Sequence, residues 1–392
     1  MRFGMFDVVR WHQDVSAGKT LTDILDQIEF ADQLGIQDIW LGEHHFSRHG
    51  LLSGIFSFMG AVAAKTKNAR IGTSIVILPF HNPVQVAEEA ATLDILSNGR
   101  FNLGVGAGYQ AQEFLGMGVD ITQSRKMFKE HLDVVMKCWE DGPTTYKGDY
   151  VDIEDIWVIP KPIQKPGPPI YIAVSTSPES VDYAASIGVP ILVGGPTTTI
   201  GQTPRVVQMW HERMEHYGRP HEHIDLPVSA SVYVAPTMEE AENDIKGLEA
   251  QINEEFYRIG NPADKDGNIP ENYKHWVHRD RDRQLAAERA REEGIRPLVG
   301  TPEVVCERIE ILRSKGINRI FGKFGAAGLD PDQTMRCIEM FANPRRAALA
   351  GHVVGLLYPA RTRVNLLAGL ESVASAHPVV PPRTPRTVRL RG

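Results

Sequence analysis

The regular alternation of two kinds of segment most constrains the fold of this chain. Eight short apolar runs rich in β-branched residues predict strands at 2–9, 38–42, 70–78, 101–107, 170–175, 190–194, 228–235 and 319–324. Amphipathic segments predict helices at 21–34, 53–65, 83–97, 124–140, 178–187, 203–217, 238–259, 302–315 and 331–341. Strands that alternate with helices in this way predict an α/β fold, a TIM (β/α)8 barrel with the helices outside. An open doubly wound sheet is the alternative architecture.

Two insertions and a C-terminal extension interrupt this pattern. Residues 145–160 predict a β-hairpin. Residues 260–297 are polar and charged, and they form either a mobile lid or a solvent-exposed excursion. We expect the barrel domain to cover residues 1–343. Residues 344–392 are basic and rich in Pro and Arg, and their end is expected to be disordered.

Composition argues against several classes of function. The 392 residues are 42% hydrophobic and 23% charged, with a formal net charge of −7, which does not favour a nucleic-acid-binding or membrane-binding protein. No run approaches the roughly 18 apolar residues of a membrane span, and Asp7 precedes any secretory signal. Cys138, Cys306 and Cys337 have neither disulfide nor metal-binding spacing, so a cytoplasmic location is expected.

One acid and two imidazoles directly follow the second predicted strand. Glu43, His44 and His45 stand where parallel α/β enzymes keep their chemistry, at the carboxyl end of a strand. Histidine can gain or lose a proton near neutral pH, and a neighbouring carboxylate shifts the pKa of the imidazole. The plainer interpretation is a pair of surface histidines on a loop.

Several motifs occur in a fixed order along the chain. They are Ile-Trp-Leu-Gly-Glu-His-His-Phe at 39–46, Arg-Ile-Gly-Thr-Ser-Ile-Val-Ile-Leu-Pro at 70–79, Val-Ala-Glu-Glu at 86–89, Gly-Arg-Phe-Asn-Leu-Gly-Val-Gly-Ala-Gly-Tyr-Gln at 99–110, and the blocks at 169–173 and 177–180. Together they resemble the bacterial luciferase-like flavin monooxygenases over residues 1–343. The resemblance does not extend to the C-terminal extension.

This resemblance implies a TIM barrel, commonly a homodimer, that uses FMN reduced by a separate flavin reductase. Molecular oxygen is the co-substrate and is activated as a flavin C4a-(hydro)peroxide, which requires the exclusion of water. The function expected is a two-component monooxygenase acting on a small apolar organic substrate. Aromatic residues near the predicted strand ends agree with such a substrate, namely Phe6, Trp11, Phe46, Phe56, Phe58 and Phe80.

The resemblance also assigns catalytic positions. His44 falls on the family's catalytic histidine, which accepts a proton or hydrogen-bonds the activated oxygen, with Glu43 beside it to orient or tune it. His45 and Phe46 are expected to pack, since successive side chains point in different directions.

Cofactor positions follow in the same way. Ser74 and Ile75 align with the pair whose backbone lies against the flavin ring. The hydroxyl-rich turn of Ser175, Thr176 and Ser177 precedes a helix, where backbone N–H groups and the helix dipole suit an FMN phosphate or the hydroxyls serve as helix caps. Ala107 stands where luciferase has a phosphate-binding arginine, and Arg125 is the candidate replacement.

Two other functions remain open from the residues. The first is a deazaflavin-dependent oxidoreductase that transfers hydride on the same fold, for which Ala107 leaves room. The second is a metal-dependent TIM-barrel hydrolase with ligands at His221, Glu222, His223 and Asp225. That segment precedes a strand instead of following one, so a solvated turn is favoured and no metal is expected.

Overall fold

Twelve strands occur in the computed structural model, which describes residues 1–12, 14–195, 198–246, 263, 266–269, 271, 279–325 and 328–342. They are β1 Arg2–Asp7, β2 Asp38–Leu41, β3 Arg70–Thr73, β4 Val76–Ile77, β5 Phe101–Gly106, β6 Thr144–Lys147, β7 Asp152–Ile156, β8 Ile170–Val174, β9 Ile191–Val193, β10 Pro227–Val234, β11 Leu298–Gly300 and β12 Arg319–Phe324. Ten of them form one parallel sheet, and β6 and β7 form an antiparallel hairpin within the predicted insertion at 145–160.

The large sheet closes on itself. Its strands run in the order β1, β2, β3, β5, β8, β9, β10 and β12, with β4 continuing the position of β3. β12 then pairs with β1 in parallel, with Phe3 opposite Ile320, which completes an eight-position barrel. The predicted TIM barrel is therefore confirmed, and the open sheet is excluded because the first and last strands are neighbours.

Helices cover the outside of the barrel. They are Ala17–Gln33, Ile55–Lys65, Pro83–Leu96, Ala111–Met117, Ser124–Cys138, Pro178–Ser186, Thr203–His216, Met238–Ile245, Arg279–Glu292, Pro302–Ser314 and Pro331–Ala342, with short 3₁₀ helices at Leu78–Phe80, Ile121–Gln123 and Ile200–Gln202. Caps explain several starts: Asn82 accepts from the N–H groups of Val84 and Gln85, and Pro83 supplies the first-turn φ.

The sequence patterns and the structure differ at four places. The run at 70–78 splits into β3 and β4 around a cis peptide bond between Ser74 and Ile75. Helices Ala111–Met117 and Arg279–Glu292 and strand β11 were not predicted, because the first and last are short and the second lacks an apolar stripe. Most of 260–297, the end of the predicted helix at 238–259 and all of 344–392 lie outside the described residues.

Side chains fill the barrel interior in layers. At the amino ends of the strands, Arg319 donates two hydrogen bonds to the buried carboxylate of Asp38, at 2.8 and 3.1 Å. Above this pair lies a middle layer of large side chains, Trp40, Leu192 and Phe321 packed with Phe6, Ile75 and Tyr171. A Cβ at Gly72 would lie 2.6 Å from the Trp40 ring, so only glycine admits the indole there.

Above the middle layer the inward-facing positions are small. Gly106, Ala173 and Gly194 each lie two residues beyond an inward-facing position, so strand alternation points them into the barrel as well. Ser231 on β10 is exposed. The carboxyl ends of the strands therefore surround an open mouth whose floor is the middle layer.

We predict that Asp38→Ala lowers the free energy of unfolding by about 3–5 kcal/mol, because Arg319 would be left buried without its partner. The exposed pair Lys19–Asp23, at 2.8 Å, offers a control, and Asp23→Ala should lower the free energy by less than about 1 kcal/mol. Urea denaturation measures both. Equal losses in the two variants would contradict a structural role for the interior pair.

Candidate active site

The carboxyl end of β2 carries a cluster of buried polar side chains. β2 ends at Leu41, and Glu43, His44 and His45 follow it with exposed fractions of 1%, 7% and 7%. Active sites of parallel barrels are built from the loops at this end of the strands. The plainer interpretation, a pair of surface histidines, therefore does not apply.

One ring nitrogen of His44 is held and the other is available. Nδ1 lies 2.9 Å from Oε1 of Glu113 and 3.0 Å from Nε2 of Gln110. Nδ1 cannot donate to the Glu113 carboxylate and accept from the Gln110 amide at the same time. The charge-assisted hydrogen bond is the stronger one, so we assign the hydrogen to Nδ1, which donates it to Glu113, and the Gln110 nitrogen is a neighbour without a hydrogen bond to that atom. Nε2 is then a free acceptor in the neutral ring, with no hydrogen bond to any residue that the structure describes. This arrangement suits proton transfer at Nε2.

Glu113 is the functional candidate that the sequence patterns missed. It is fully buried in the first turn of helix Ala111–Met117, and the same Oε1 atom accepts the backbone N–H of His45 at 2.8 Å. Seven residues are too few to show helical period, so the helix itself was not recognised. The available signal was position: Glu113 lies in the connection that follows β5, at the active-site end of the barrel.

The expected partnership of Glu43 with His44 is replaced by a different one. Oε1 of Glu43 lies 2.7 Å from Nε2 of His45 and 2.7 Å from Nε2 of His81, and Oε2 accepts the N–H of Ile77 at 2.8 Å. Successive side chains leaving a strand diverge, so Glu43 turns away from His44. Glu113 holds the His44 ring instead.

Electrostatics favour a charged form of Glu43. Burial raises the pKa of the Glu43 carboxyl, but the hydrogen bonds from His45 and His81, the His81 charge and the Ile77 N–H outweigh burial and lower the pKa below its ordinary value. Burial lowers the pKa of His81, but the hydrogen bond and charge of Glu43 reverse this, and the net pKa is raised. The two groups thus form a partly buried ion pair.

Two further rings border His44. The His49 ring lies 5.0 Å from the His44 ring, and burial together with neighbouring positive charges lowers the pKa of His49 to about 2. The Tyr109 ring lies 6.1 Å away, and burial together with the Glu113 charge raises its pKa. Both rings are therefore uncharged at neutral pH, and neither was proposed as a site residue from the sequence.

Ser74 and Ile75 lie next to this cluster. They connect β3 to β4 and are half-buried, whereas their neighbours on both sides are buried. The Ser74 N–H donates to Leu41 at 2.6 Å, and Glu43 N–H donates to the Ile75 carbonyl at 3.2 Å. The proposed flavin wall and the histidine loop are thus joined by backbone hydrogen bonds.

Ser175, Thr176 and Ser177 form a half-buried turn after β8. Ser175 Oγ lies 2.7 Å from Thr198 Oγ1. Ser177 caps helix Pro178–Ser186: its Oγ accepts the Ser180 N–H and donates to Glu179 at 2.7 Å. The turn lies at the same end of the barrel as His44.

The mouth carries small inward-facing residues and hydrogen-bond donors, two features that a flavin site uses. Ile75 covers Gly106, and the neighbouring inward-facing residues Ala173 and Gly194 are small, so few side-chain atoms stand above the middle layer on that side. Hydroxyls and a helix N-terminus at 175–178 offer donors for a phosphate. The residues present therefore fit FMN.

The segment considered as an alternative metal site, around His221, lies in an exposed turn. Glu222 and His223 are exposed in a turn before β10, and His221 Nδ1 lies 3.0 Å from the Arg219 carbonyl. Among the described residues, no group of three or more His, Cys, Asp or Glu is placed to hold a metal ion. Within the same ranges, no helix has the length and apolar character needed to span a membrane.

A closed parallel barrel with histidine–carboxylate pairs at its carboxyl end defines a TIM-barrel enzyme. The sequence of residues 1–319 matches the family model of the luciferase-like monooxygenases, and the chain belongs to this family. The identification made from the ordered motifs is thereby confirmed, as is the enzyme class.

Curated relatives agree with this assignment. The chain is 32% identical over 251 residues to 4-hydroxyprotoasukamycin monooxygenase of Streptomyces nodosus subsp. asukaensis, which covers 62% of this chain and 68% of that one. It is 33% identical over 202 residues to the oxygenase component of the flavin-dependent trigonelline monooxygenase of Acinetobacter baylyi, covering 49% and 54%. The match spans about half of the latter protein.

Solved structures share the fold. The monooxygenase RslO1 from Streptomyces bottropensis superposes with a TM-score of 0.75 at 23% identity, over 88% of this chain and 100% of that one. The oxygenating constituent of 3,6-diketocamphane monooxygenase from Pseudomonas putida, in complex with FMN, superposes with a TM-score of 0.68 at 20% identity. The superposition covers 88% of this chain and 97% of that one. An F420-dependent secondary alcohol dehydrogenase superposes with a TM-score of 0.65 at 20% identity, over 86% of this chain and 97% of that one.

The raised pKa of His81 predicts a pH-dependent contribution to stability. The ion pair with Glu43 contributes its full stabilisation at pH values below 6.5, the ordinary pKa of histidine. This contribution is lost as the pH rises through the raised pKa of His81. The difference in unfolding free energy between wild type and His81→Gln should therefore be largest near pH 6 and shrink towards pH 9. Urea denaturation across this range measures it.

His211 provides a control of opposite sign. Burial, then the charge of His221, lowers the pKa of His211, so protonation favours the unfolded chain. His211→Gln should gain stability relative to wild type as the pH falls. A His81→Gln difference that is constant with pH would contradict the ion pair with Glu43.

Proposed function

We propose that this chain is the oxygenase component of a two-component monooxygenase that uses reduced FMN and molecular oxygen to oxygenate a small apolar organic substrate. The observation that carries the proposal is His44, whose Nδ1 is held by buried Glu113 while Nε2 has no hydrogen bond to a described residue, in the loop that follows β2. Reduced FMN, when bound, supplies the electrons that activate oxygen.

The protein's own residues have separate tasks in this proposal. His44 Nε2 accepts or holds a proton at the reacting centre, and Glu113 keeps the ring in the required tautomer. Glu43 fixes the histidine loop to the turn at Ile77. The buried setting of these groups limits access of water to the exchanging proton.

Two sets of residues would hold the cofactor. Ser74 and Ile75 would lie against the flavin ring. Ser175, Thr176 and Ser177 would hold the phosphate through hydroxyls and the N-terminus of helix Pro178–Ser186. Exposed Glu179 in the first turn opposes a phosphate there, so this subsite relies on neutral donors.

The partners proposed are a flavin reductase, molecular oxygen, the organic substrate and a second copy of the chain in a cytoplasmic homodimer. The relative from Acinetobacter baylyi, described as the oxygenase component of a flavin-dependent monooxygenase, supports a separate reductase. Phe80 lies 5.9 Å from the His45 ring and 4.8 Å from Phe114, and these aromatic surfaces support an apolar substrate.

The competing function is hydride transfer from a deazaflavin. The fold shared with an F420-dependent alcohol dehydrogenase supports it, as does Ala107, half-buried at the end of β5 where a basic residue is absent. The two functions differ in their need for oxygen, which makes them separable by experiment.

Anaerobic titration with photoreduced FMN, followed by rapid mixing with oxygenated buffer, tests the proposal. We expect saturable binding, and reoxidation of the bound flavin in more than one phase and more slowly than free reduced FMN. Reoxidation at the rate of free flavin with no binding, together with reduction of F420 by an alcohol, would instead support the deazaflavin function.

His44→Ala should leave the fold intact and lower the rate of product formation by about 10²–10⁴-fold, the usual contribution of general acid–base catalysis. Single-turnover mixing with reduced FMN and oxygen measures this, with circular dichroism as the check on folding. His12→Ala, in the loop after β1, is the matched control and should retain the wild-type rate. A normal rate in His44→Ala would remove this residue from the mechanism.

Glu113→Gln should lower the same rate less severely, by about 10-fold, because an amide can still accept from Nδ1 but carries no charge. The expected signature is a change in the pH profile with FMN affinity unchanged. A loss of FMN binding alone would indicate that Glu113 supports the cofactor and not the tautomer of His44.

A further inference from the structure

Glu43 serves two histidines through one oxygen atom. Its Oε1 lies 2.7 Å from the Nε2 atoms of both His45 and His81, while the Ile77 N–H occupies Oε2. The Glu43 side chain is completely buried, that of His45 is 7% exposed and that of His81 is 25% exposed. The three groups thus connect the outer surface to the loop that carries His44.

We propose that His45 is a second proton-accepting group of the site, and that Glu43 and His81 are positioning residues that set its tautomer and its affinity for a proton. The use of this group in catalysis rests on the proposed function. The coupling between the two histidines does not, and it can be measured on the protein alone.

Hydrogen-bond chemistry determines the tautomers. An ionised carboxylate has no hydrogen to give, so both Nε2 atoms must donate to Oε1. In neutral His45 the hydrogen is then on Nε2, and Nδ1 is left as an acceptor. His45 Nδ1 hydrogen-bonds none of the residues that the structure describes, so it can accept a proton.

The two histidine–carboxylate pairs have opposite orientations. His44 is held through Nδ1 and presents Nε2, whereas His45 is held through Nε2 and presents Nδ1. Glu113 Oε1 links the pairs, because it accepts from both the His44 ring and the His45 backbone N–H. Two acceptors of defined tautomer therefore stand on adjacent residues.

Charge balance couples His45 to His81. One buried negative charge on Glu43 favours one positive charge beside it, and we assign that charge in the resting state to His81, which hydrogen-bonds Oε1 at 2.7 Å and is the more exposed of the two histidines. When His81 releases its proton to solvent, the unbalanced Glu43 charge favours proton uptake by His45 at Nδ1. Each event moves one proton, and no other reactant is required.

Among the described residues, three other titratable groups face this unit, and one of them is Glu113, which accepts the His45 backbone N–H. His81 also faces Glu89 on helix Pro83–Leu96, which raises its pKa further. His131 on helix Ser124–Cys138 lies near it, but burial lowers the pKa of His131, and Nδ1 bonds the Leu78 carbonyl. His45 has the Phe46 and Phe80 rings beside it, at 5.7 and 5.9 Å. Glu43 is therefore the main link between the two histidines.

Titration of the protein without flavin tests the coupling. The probe is the ring ¹⁵N resonances of labelled histidine, assigned by single substitutions. In His81→Gln the donor to Glu43 is kept but its charge is removed, so the pH midpoint for protonation of His45 should rise by about one unit. In His81→Lys the charge is permanent, and the midpoint should fall.

Two further variants serve as controls. Glu43→Gln should remove the coupling and lower the His81 midpoint towards the ordinary value. His211→Gln, on the distant helix Thr203–His216, should leave the His45 midpoint unchanged. An unchanged His45 midpoint in both His81 variants, with folding intact, would overturn the proposal.

Catalysis supplies the second readout. The pH profile of single-turnover oxygenation should move to higher pH in His81→Gln and to lower pH in His81→Lys, with FMN affinity unchanged. A purely structural role for His81 would reduce the rate at all pH values without moving the profile, which would contradict a role for His45 as acceptor. Absence of oxygenation in wild type would count against the proposed function, whereas the resonance titration would still decide the coupling.

Discussion

The rest of this structure depends on the packing of one layer of large side chains across the barrel. Trp40 is fully buried and packs edge-on against Tyr171, with the ring centroids 5.2 Å apart. The centroid of the Phe321 ring lies 6.4 Å from that of Trp40. Gly72 provides the space that the indole needs. This layer fills the barrel above the Asp38–Arg319 ion pair and separates that pair from the carboxyl ends of the strands.

The same strand that supplies Trp40 supplies the chemistry. Trp40 points inward on β2, and the residues after Leu41 leave the sheet with alternating directions. Glu43 and His44 therefore reach different partners, and each of two adjacent histidines acquires its own buried carboxylate. Burial strengthens these hydrogen bonds, because no water competes for the carboxylate oxygens. The result is a pair of adjacent imidazoles of opposite tautomer in the loop that follows β2.

Much of this could be predicted from local patterns, since strand periodicity and order along the chain are local properties. The eight barrel strands were located within a few residues, and the 319–324 run coincides with β12. The positions of His44, Ser74 and Ile75 at the active-site end followed from the strands that precede them. Helix Ala111–Met117 was not recognised, because its seven residues follow a glycine-rich segment and show no period.

Closure of the barrel pairs Phe3 with Ile320 and depends on the tertiary structure. The order of strands along the chain and the position of the histidines after β2 are consequences of the linear sequence, because each depends on residues close together in the chain. The partners of those histidines are not. Glu113 lies 69 residues from His44, and His81 lies 38 residues from Glu43. Pairing of β2 with β3, and of β3 and β4 with β5, brings these groups within hydrogen-bonding distance. The divergence of side chains leaving β2 decides which carboxylate each imidazole meets.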